Sequence, residues 1–230
     1  MKKLFICLIL MLCIGGQSFA NEALLDKLNS IQNRIDDCGT KILNSNQIAE
    51  RVIFVYNNEE KKALLKSDKS ITDRQVSLYA DEYQFIENDD ELAGYLARQI
   101  VIISRTYNGA FNGFLRTLQI KVSPKKFEIV ADKVAVDLMV KAGYNPIGLI
   151  TYIHKTAPQK RYDVISTKNL TSKRLAILYE YIYTKYPYYL ANNSYIDNEH
   201  YQNFLLTSQN NRRLLEEKIK TGSKKELDYE

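Results

Sequence analysis

Glu91-Leu92-Ala93-Gly94-Tyr95-Leu96-Ala97, running into Arg98-Gln99-Ile100-Val101-Ile102, is the stretch on which the fold turns. Asn88 stands where a helix start needs a side-chain acceptor, and Glu91 follows three residues later as in a capping box. The spacing predicts a helix from Asn88 to about Tyr107, stopped by Gly109. Arg98 and Ile102 fall one turn apart on one face, with Gln99 beside them.

Working outward, Ala23 to about Leu43 has helical spacing, with Leu24, Leu25, Leu28, Ile31 and Ile35 on one stripe. Val52 to Tyr56 is a short apolar run bounded by Asn57-Asn58, and Gln75 to Tyr79 alternates, so both read as strands. Downstream, Phe111 to about Ile120 reads as a helix. Ser123-Pro124 opens the next one with a cap and a proline at its first position. Gly143 and Asn145-Pro146 stop that helix. Further helices are expected near Pro146 to Lys155, from Ser172 to Lys185, and as one polar helix from Asn198 to about Lys220 with a disordered terminus beyond. The fold class is therefore α+β, mostly α, with a small sheet and a C-terminal helical tail. With no repeat or Gly/Pro/Ser linker, residues 21–190 form one domain and 191–230 its tail.

Residues 1–20 carry a separate signal. Lys2-Lys3, an apolar run from Leu4 to Ile14, and a small-residue ending at Ala20 make up a secretory leader cut near Ala20. The run is shorter than the roughly 20 residues a bilayer span needs. The runner-up, a lipid anchor at Cys13, meets a large Leu12 where a small residue is wanted. Removing the leader leaves Cys38 alone, unable to form an internal disulfide; a buried inert thiol is expected, with intermolecular pairing the alternative. The formal charge of +5 includes Lys2 and Lys3 and falls by two with the leader. Such a weak, dispersed charge gives no reason to expect nucleic acid or membrane binding.

The chemistry-bearing pattern has two halves. In an H-E-x-x-H helix, two imidazoles four apart point at one Zn²⁺ and the intervening glutamate activates its water. The same cadence here would read Glu-Leu-Ala-x-x-Leu-Ala-His-Glu-x-x-His. The second half is Glu128-Ile129-Val130-Ala131-Asp132, then Ala135, Leu138 and Ala142-Gly143-Tyr144-Asn145-Pro146. From about Arg51 to Leu178 the chain resembles the gluzincin metallopeptidases of the HtpX and CAAX prenyl protease family, in a small secreted form. The resemblance implies a zincin-like fold. It puts Arg98 and Ile102 at the two histidine-ligand positions, Gln99 at the general base, Glu128 at the third ligand, and Asp132 at the carboxylate that orients a histidine. Where the family often has Ser-Thr-His-Pro and then an arginine, this chain has Ser166-Thr167-Lys168-Asn169 and Arg174. Arg174 is thus a retained position that would stabilise negative charge.

The residues present argue against the family's chemistry. A guanidinium has no lone pair for a metal and repels one; Ile102 is inert, and Gln99 takes no proton from water. His154 and His200 lie on neither helix and read as packed or solvated. No catalytic residue is intact and no metal or cofactor is expected, zinc being implied only if a degenerate site still works. In the metal's place, Arg98 is expected to pair with Glu128, and with Asp132 as a further partner. The competing arrangement has Arg98 reaching solvent and Glu128 exposed.

Two other features carry bland and sharp readings. Tyr179, Tyr181, Tyr183, Tyr186, Tyr188 and Tyr189 suit aromatic packing at a helix end better than a ligand surface. The strand near Val76 to Tyr79 could dock an extended peptide at its edge, unless that edge is covered. The expected function is that of an inactive, peptidase-like protein of the cell envelope, secreted or periplasmic, that binds a polypeptide or envelope partner. The alternatives are a zinc metalloendopeptidase with a degenerate site, and a helical structural protein.

Overall fold

A computed structural model describes residues 2–59, 74–106, 124–157 and 170–229. The expected helix at Phe111 to Ile120, the Tyr107–Gly109 stop, Ser123 and the Ser166–Asn169 segment lie outside them. In chain order the elements are α1 (Lys2–Ser45), β1 (Ile53–Asn57), β2 (Gln75–Tyr79), α2 (Ala80–Tyr83), α3 (Asp89–Thr106), α4 (Pro124–Lys141), α5 (Ile147–Thr156), α6 (Thr171–Lys185), α7 (Pro187–Ala191), α8 (Glu199–Thr207) and α9 (Gln209–Thr221). The chain is mostly helical, with one small parallel sheet pairing Ile53 with Gln75 through Asn57 with Tyr79. Among the described residues no helix is long and apolar enough to cross a membrane.

The apolar stripe of α3 makes it the centre of the molecule. Leu92, Ala93, Leu96, Ala97 and Ile100 are fully buried, and α3 packs on α1, α4 and α5. Its start forms as a capped helix should: Asn88 Oδ1 accepts from the Glu91 amide at 3.0 Å. Glu91 completes the box one residue early, accepting from the Glu87 amide at 2.8 Å. The other boundary is equally local. Gly143 adopts φ +78°, and the Tyr144 and Gly143 amides bond the Met139 and Val140 carbonyls at 2.9 and 3.0 Å, a left-handed cap that needs a residue without a Cβ.

Helices α3 and α5 touch so closely that Gly148 sits on the Asp90 backbone; an added Cβ would lie 2.7 Å from the Asp90 carbonyl carbon. Gly148→Ala is therefore expected to push the two helices apart and cost about 1–3 kcal/mol, as overpacking does, seen as a lowered melting temperature with the circular-dichroism spectrum of the folded state retained.

Neither strand offers a bare ladder at its middle. The Gln32 side chain on α1 imitates a neighbouring strand along β1, accepting from the Tyr56 amide at 2.7 Å and donating to the Phe54 carbonyl at 2.9 Å. On β2 the Tyr95 hydroxyl donates to the Ser77 carbonyl at 3.1 Å. The edge read as a peptide-docking strand thus has its central acceptor occupied from within the molecule.

Two expectations for the C-terminal region need correcting. The single helix from Asn198 breaks at Ser208 (φ −96°, ψ 10°) into α8 and α9. The break is stabilised by Arg212, whose guanidinium donates to the Leu205 carbonyl at 2.9 Å. The terminus beyond α9 is not loose. Tyr229 is 3% exposed, its hydroxyl donates to Glu180 at 2.9 Å, and Asp228 pairs with Lys173 at 2.7 Å. An apolar-aromatic Leu227-Asp228-Tyr229 ending overrides the charged composition that precedes it.

Candidate functional site

The site is built where α3, α4 and the first turn of α6 converge. Glu128 and Asp132 lie one turn apart on α4, so both carboxylates share a face, and both are buried, Asp132 to 2% exposure. Arg98 comes from α3 and Arg174 from α6. Asp132 is the hub: Arg174 Nε and Nη2 grip its two oxygens at 2.5 and 2.8 Å, and Arg98 Nε donates to Oδ1 at 2.9 Å. Glu128 Oε1 sits 3.4 Å from Arg174 and 3.9 Å from Arg98. Two cations and two anions thus close into a neutral cluster, with the Arg174 side chain 11% and that of Arg98 25% exposed.

This differs from the expected arrangement in its order of partners. Arg98 reaches Glu128 only at the outer limit of an ion pair and makes its hydrogen bond to Asp132. Asp132, given the role of orienting an imidazole, instead accepts from two arginines. Arg174, read as a stabiliser of reacting charge, spends its fork on Asp132, a bidentate geometry that suits a planar guanidinium. Burial alone would lower the Arg174 pKa, but Asp132 and then Glu128 more than offset this and hold the side chain charged. Gln99 and Ile102 flank the cluster on α3, partly buried, and add no charge to it.

The donors do not suit a zinc ion of the peptidase kind. Neither α3 nor α4 carries an imidazole, and both carboxylates face guanidinium partners that would have to leave before a cation entered. Among the described residues, no group of three or more His, Cys, Asp or Glu side chains is arranged to hold a metal.

Several polar clusters were not anticipated. Glu91, fully buried, accepts from the Thr151 hydroxyl at 2.8 Å and pairs with Lys155 at 2.8 Å; Lys155, its side chain 3% exposed, also meets Glu87 at 2.8 Å. The signal was present as an acid opening an otherwise apolar face and a lysine closing the apolar run Ile147 to Ile153. Asp137 gathers the Tyr181 and Tyr186 hydroxyls, each at 2.8 Å, and Lys185, so part of the tyrosine-rich segment is packed around a carboxylate. Asp90 accepts from the Asn145 amide at 2.8 Å and from the Tyr195 hydroxyl at 3.1 Å, which gives the Gly-Tyr-Asn-Pro turn its anchor. His154 and His200 meet with ring centroids 6.0 Å apart. Burial, and then His200, hold the His154 imidazole below its usual range.

Cys38 is buried on α1, where burial pushes its thiol up to about 11. Only about one molecule in a thousand then carries thiolate at pH 8. Ellman's reagent at that pH is expected to leave the native protein unlabelled over minutes and to titrate one thiol per chain lacking residues 1–20 in denaturant.

A groove of about 550 Å³ runs along α4 and α6, with Ile129, Val130 and Lys133 on one wall and Ile177 and Tyr181 on the other. Leu227 and Tyr229 of the chain's own terminus also line it. Compared with known protein families, characterised proteins and solved structures, the chain matches no family model, no characterised protein and no solved structure.

Proposed function

We propose that this chain is a catalytically inactive, metallopeptidase-like protein of the cell envelope, exported by its leader, that acts by binding a polypeptide. The observation that carries the reading is the Arg98–Glu128–Asp132–Arg174 cluster. The side chains that a gluzincin site would devote to metal and water here neutralise one another. The zincin-like architecture is part of the same proposal, supported by α3 and α4 packing with these side chains face to face beside a small sheet. The groove along α4 and α6 supports a binding role, because a segment of polypeptide, the chain's own Leu227 to Tyr229, already lines it.

The test begins with metal content and casein-type hydrolysis by protein purified without chelator. Near-stoichiometric zinc, with hydrolysis abolished by Glu128→Ala, overturns the proposal in favour of a metalloendopeptidase working with a degenerate site. For the binding role, a chain ending at Thr221 is expected to bind a fluorescent peptide of residues 223–229 in trans, whereas the full chain, its groove already lined by that segment, does not. Equal anisotropy changes for both proteins, or none for either, count against the groove.

A further inference from the structure

His154 and His200 are the only histidines in the chain, they are 46 positions apart, and the fold brings their rings together at a tilt. His154 stands in the last turn of α5 and His200 in the first turn of α8, two helices that pack directly on each other. Their rings are tilted by 56° with centroids 6.0 Å apart. No hydrogen bond satisfies His154 Nδ1, which is buried. A buried ring nitrogen without a partner forgoes a hydrogen bond, and a metal ion is one species that takes up such a nitrogen.

We infer that His154 and His200 form a two-histidine site for a borderline divalent transition ion, Zn²⁺, Ni²⁺ or Cu²⁺, clamping α8 to α5. Imidazole is the ligand these ions share. With metal–nitrogen bonds of about 2.0–2.1 Å, two rings on one ion have centroids about 5 Å apart at a tetrahedral angle and about 6.5 Å apart when opposed. The observed separation of 6.0 Å falls between these limits. No third protein ligand joins the pair among the described residues, so water completes the coordination. Such a site is weaker than a closed structural one and exchanges its ion readily. It lies apart from the arginine–carboxylate cluster, shares no residue with it, and does not depend on the function proposed above. Its consequence is mechanical: a bound ion fastens α8 to α5, and α8 leads into α9 and the terminal segment that lines the groove.

The experiment is calorimetric titration of the full leader-free chain with Ni²⁺, alongside His200→Asn and His154→Gln. Wild type is expected to take up one equivalent, and its melting temperature to rise with the logarithm of Ni²⁺ concentration. Both effects should vanish in each variant at concentrations that saturate wild type. His200 is the position less tied to the core, so His200→Asn decides the matter if His154→Gln fails to fold. Failure of wild type to bind overturns the inference, as does uptake that survives His200→Asn. Metal that survives His200→Asn but leaves with Glu128→Ala would overturn this site and the inactive reading together.

Discussion

Asp132→Ala is expected to produce the largest loss of stability of any single change at the charge cluster. It strands Arg98 and Arg174 beside each other with Glu128, at 3.9 and 3.4 Å, as the carboxylate left to neutralise them among the described residues. Breaking a buried pair from one side typically costs about 3–5 kcal/mol. For a domain of this size each kcal/mol moves the melting temperature by about 2–4 °C, so a fall of roughly 6–20 °C is predicted. Arg174→Ala should follow, since it removes the buried fork. Arg98→Ala should come next, its quarter-exposed side chain keeping more water. Glu128→Gln should be mildest, because its contacts with the two arginines are longer than hydrogen bonds. The decisive measurement is a double variant: Arg98→Met placed on Asp132→Ala removes the surplus cation and should restore part of the loss, a coupling that plain cavity formation would not give. Thermal unfolding of Asp132→Ala within a degree or two of wild type would show that the cluster holds nothing together.

How much of this was legible in the sequence depends on how far apart the interacting residues lie. The start of α3 and the end of α4 were readable because caps act within four residues: Asn88 and Glu91 at the first, Gly143 at the second. The shared face of Glu128 and Asp132 follows from helix geometry alone, whereas the expectation that Arg98 would meet that face came from the resemblance, which put both at ligand positions. Which carboxylate takes the hydrogen bond was not readable. Two acids one turn apart are equivalent until the height of the facing helix is fixed, and that height is set by side-chain packing across α3. Nor could Arg174, 42 residues beyond Asp132, be assigned as its closest partner from spacing. The break at Ser208 and the docked Tyr229 escaped for a related reason. Charge patterning along Arg212 to Glu226 describes a solvated helix correctly, yet Arg212 capping Leu205 and Tyr229 meeting Glu180 are tertiary contacts. The His154–His200 contact is of the same kind, invisible until α5 and α8 are placed.

Lys155→Ala tests the second buried charge of α3, where the loss should be comparable. Glu91 is fully buried, and Lys155 reaches it at 2.8 Å with its own ammonium almost wholly removed from water. Removing the lysine leaves Glu91 with the Thr151 hydroxyl and the Glu87 amide, two hydrogen bonds and no countercharge. The expected cost at neutral pH is again about 3–5 kcal/mol. Loss of packing alone would give a smaller penalty than a stranded carboxylate does. The double variant Glu91→Met, Lys155→Met removes both charges while keeping volume, and buried pairs replaced in this way are often neutral in stability; Thr151 keeps its bond to the Gly148 carbonyl at 3.0 Å. Denaturant titrations of the single and double variants at neutral pH separate the cases. A double variant as unstable as the single one would mean that Glu91 and Lys155 fill space rather than lock α3 to α5. The arginine cluster would then owe its placement to the apolar seam of Leu92, Leu96 and Ile100 alone.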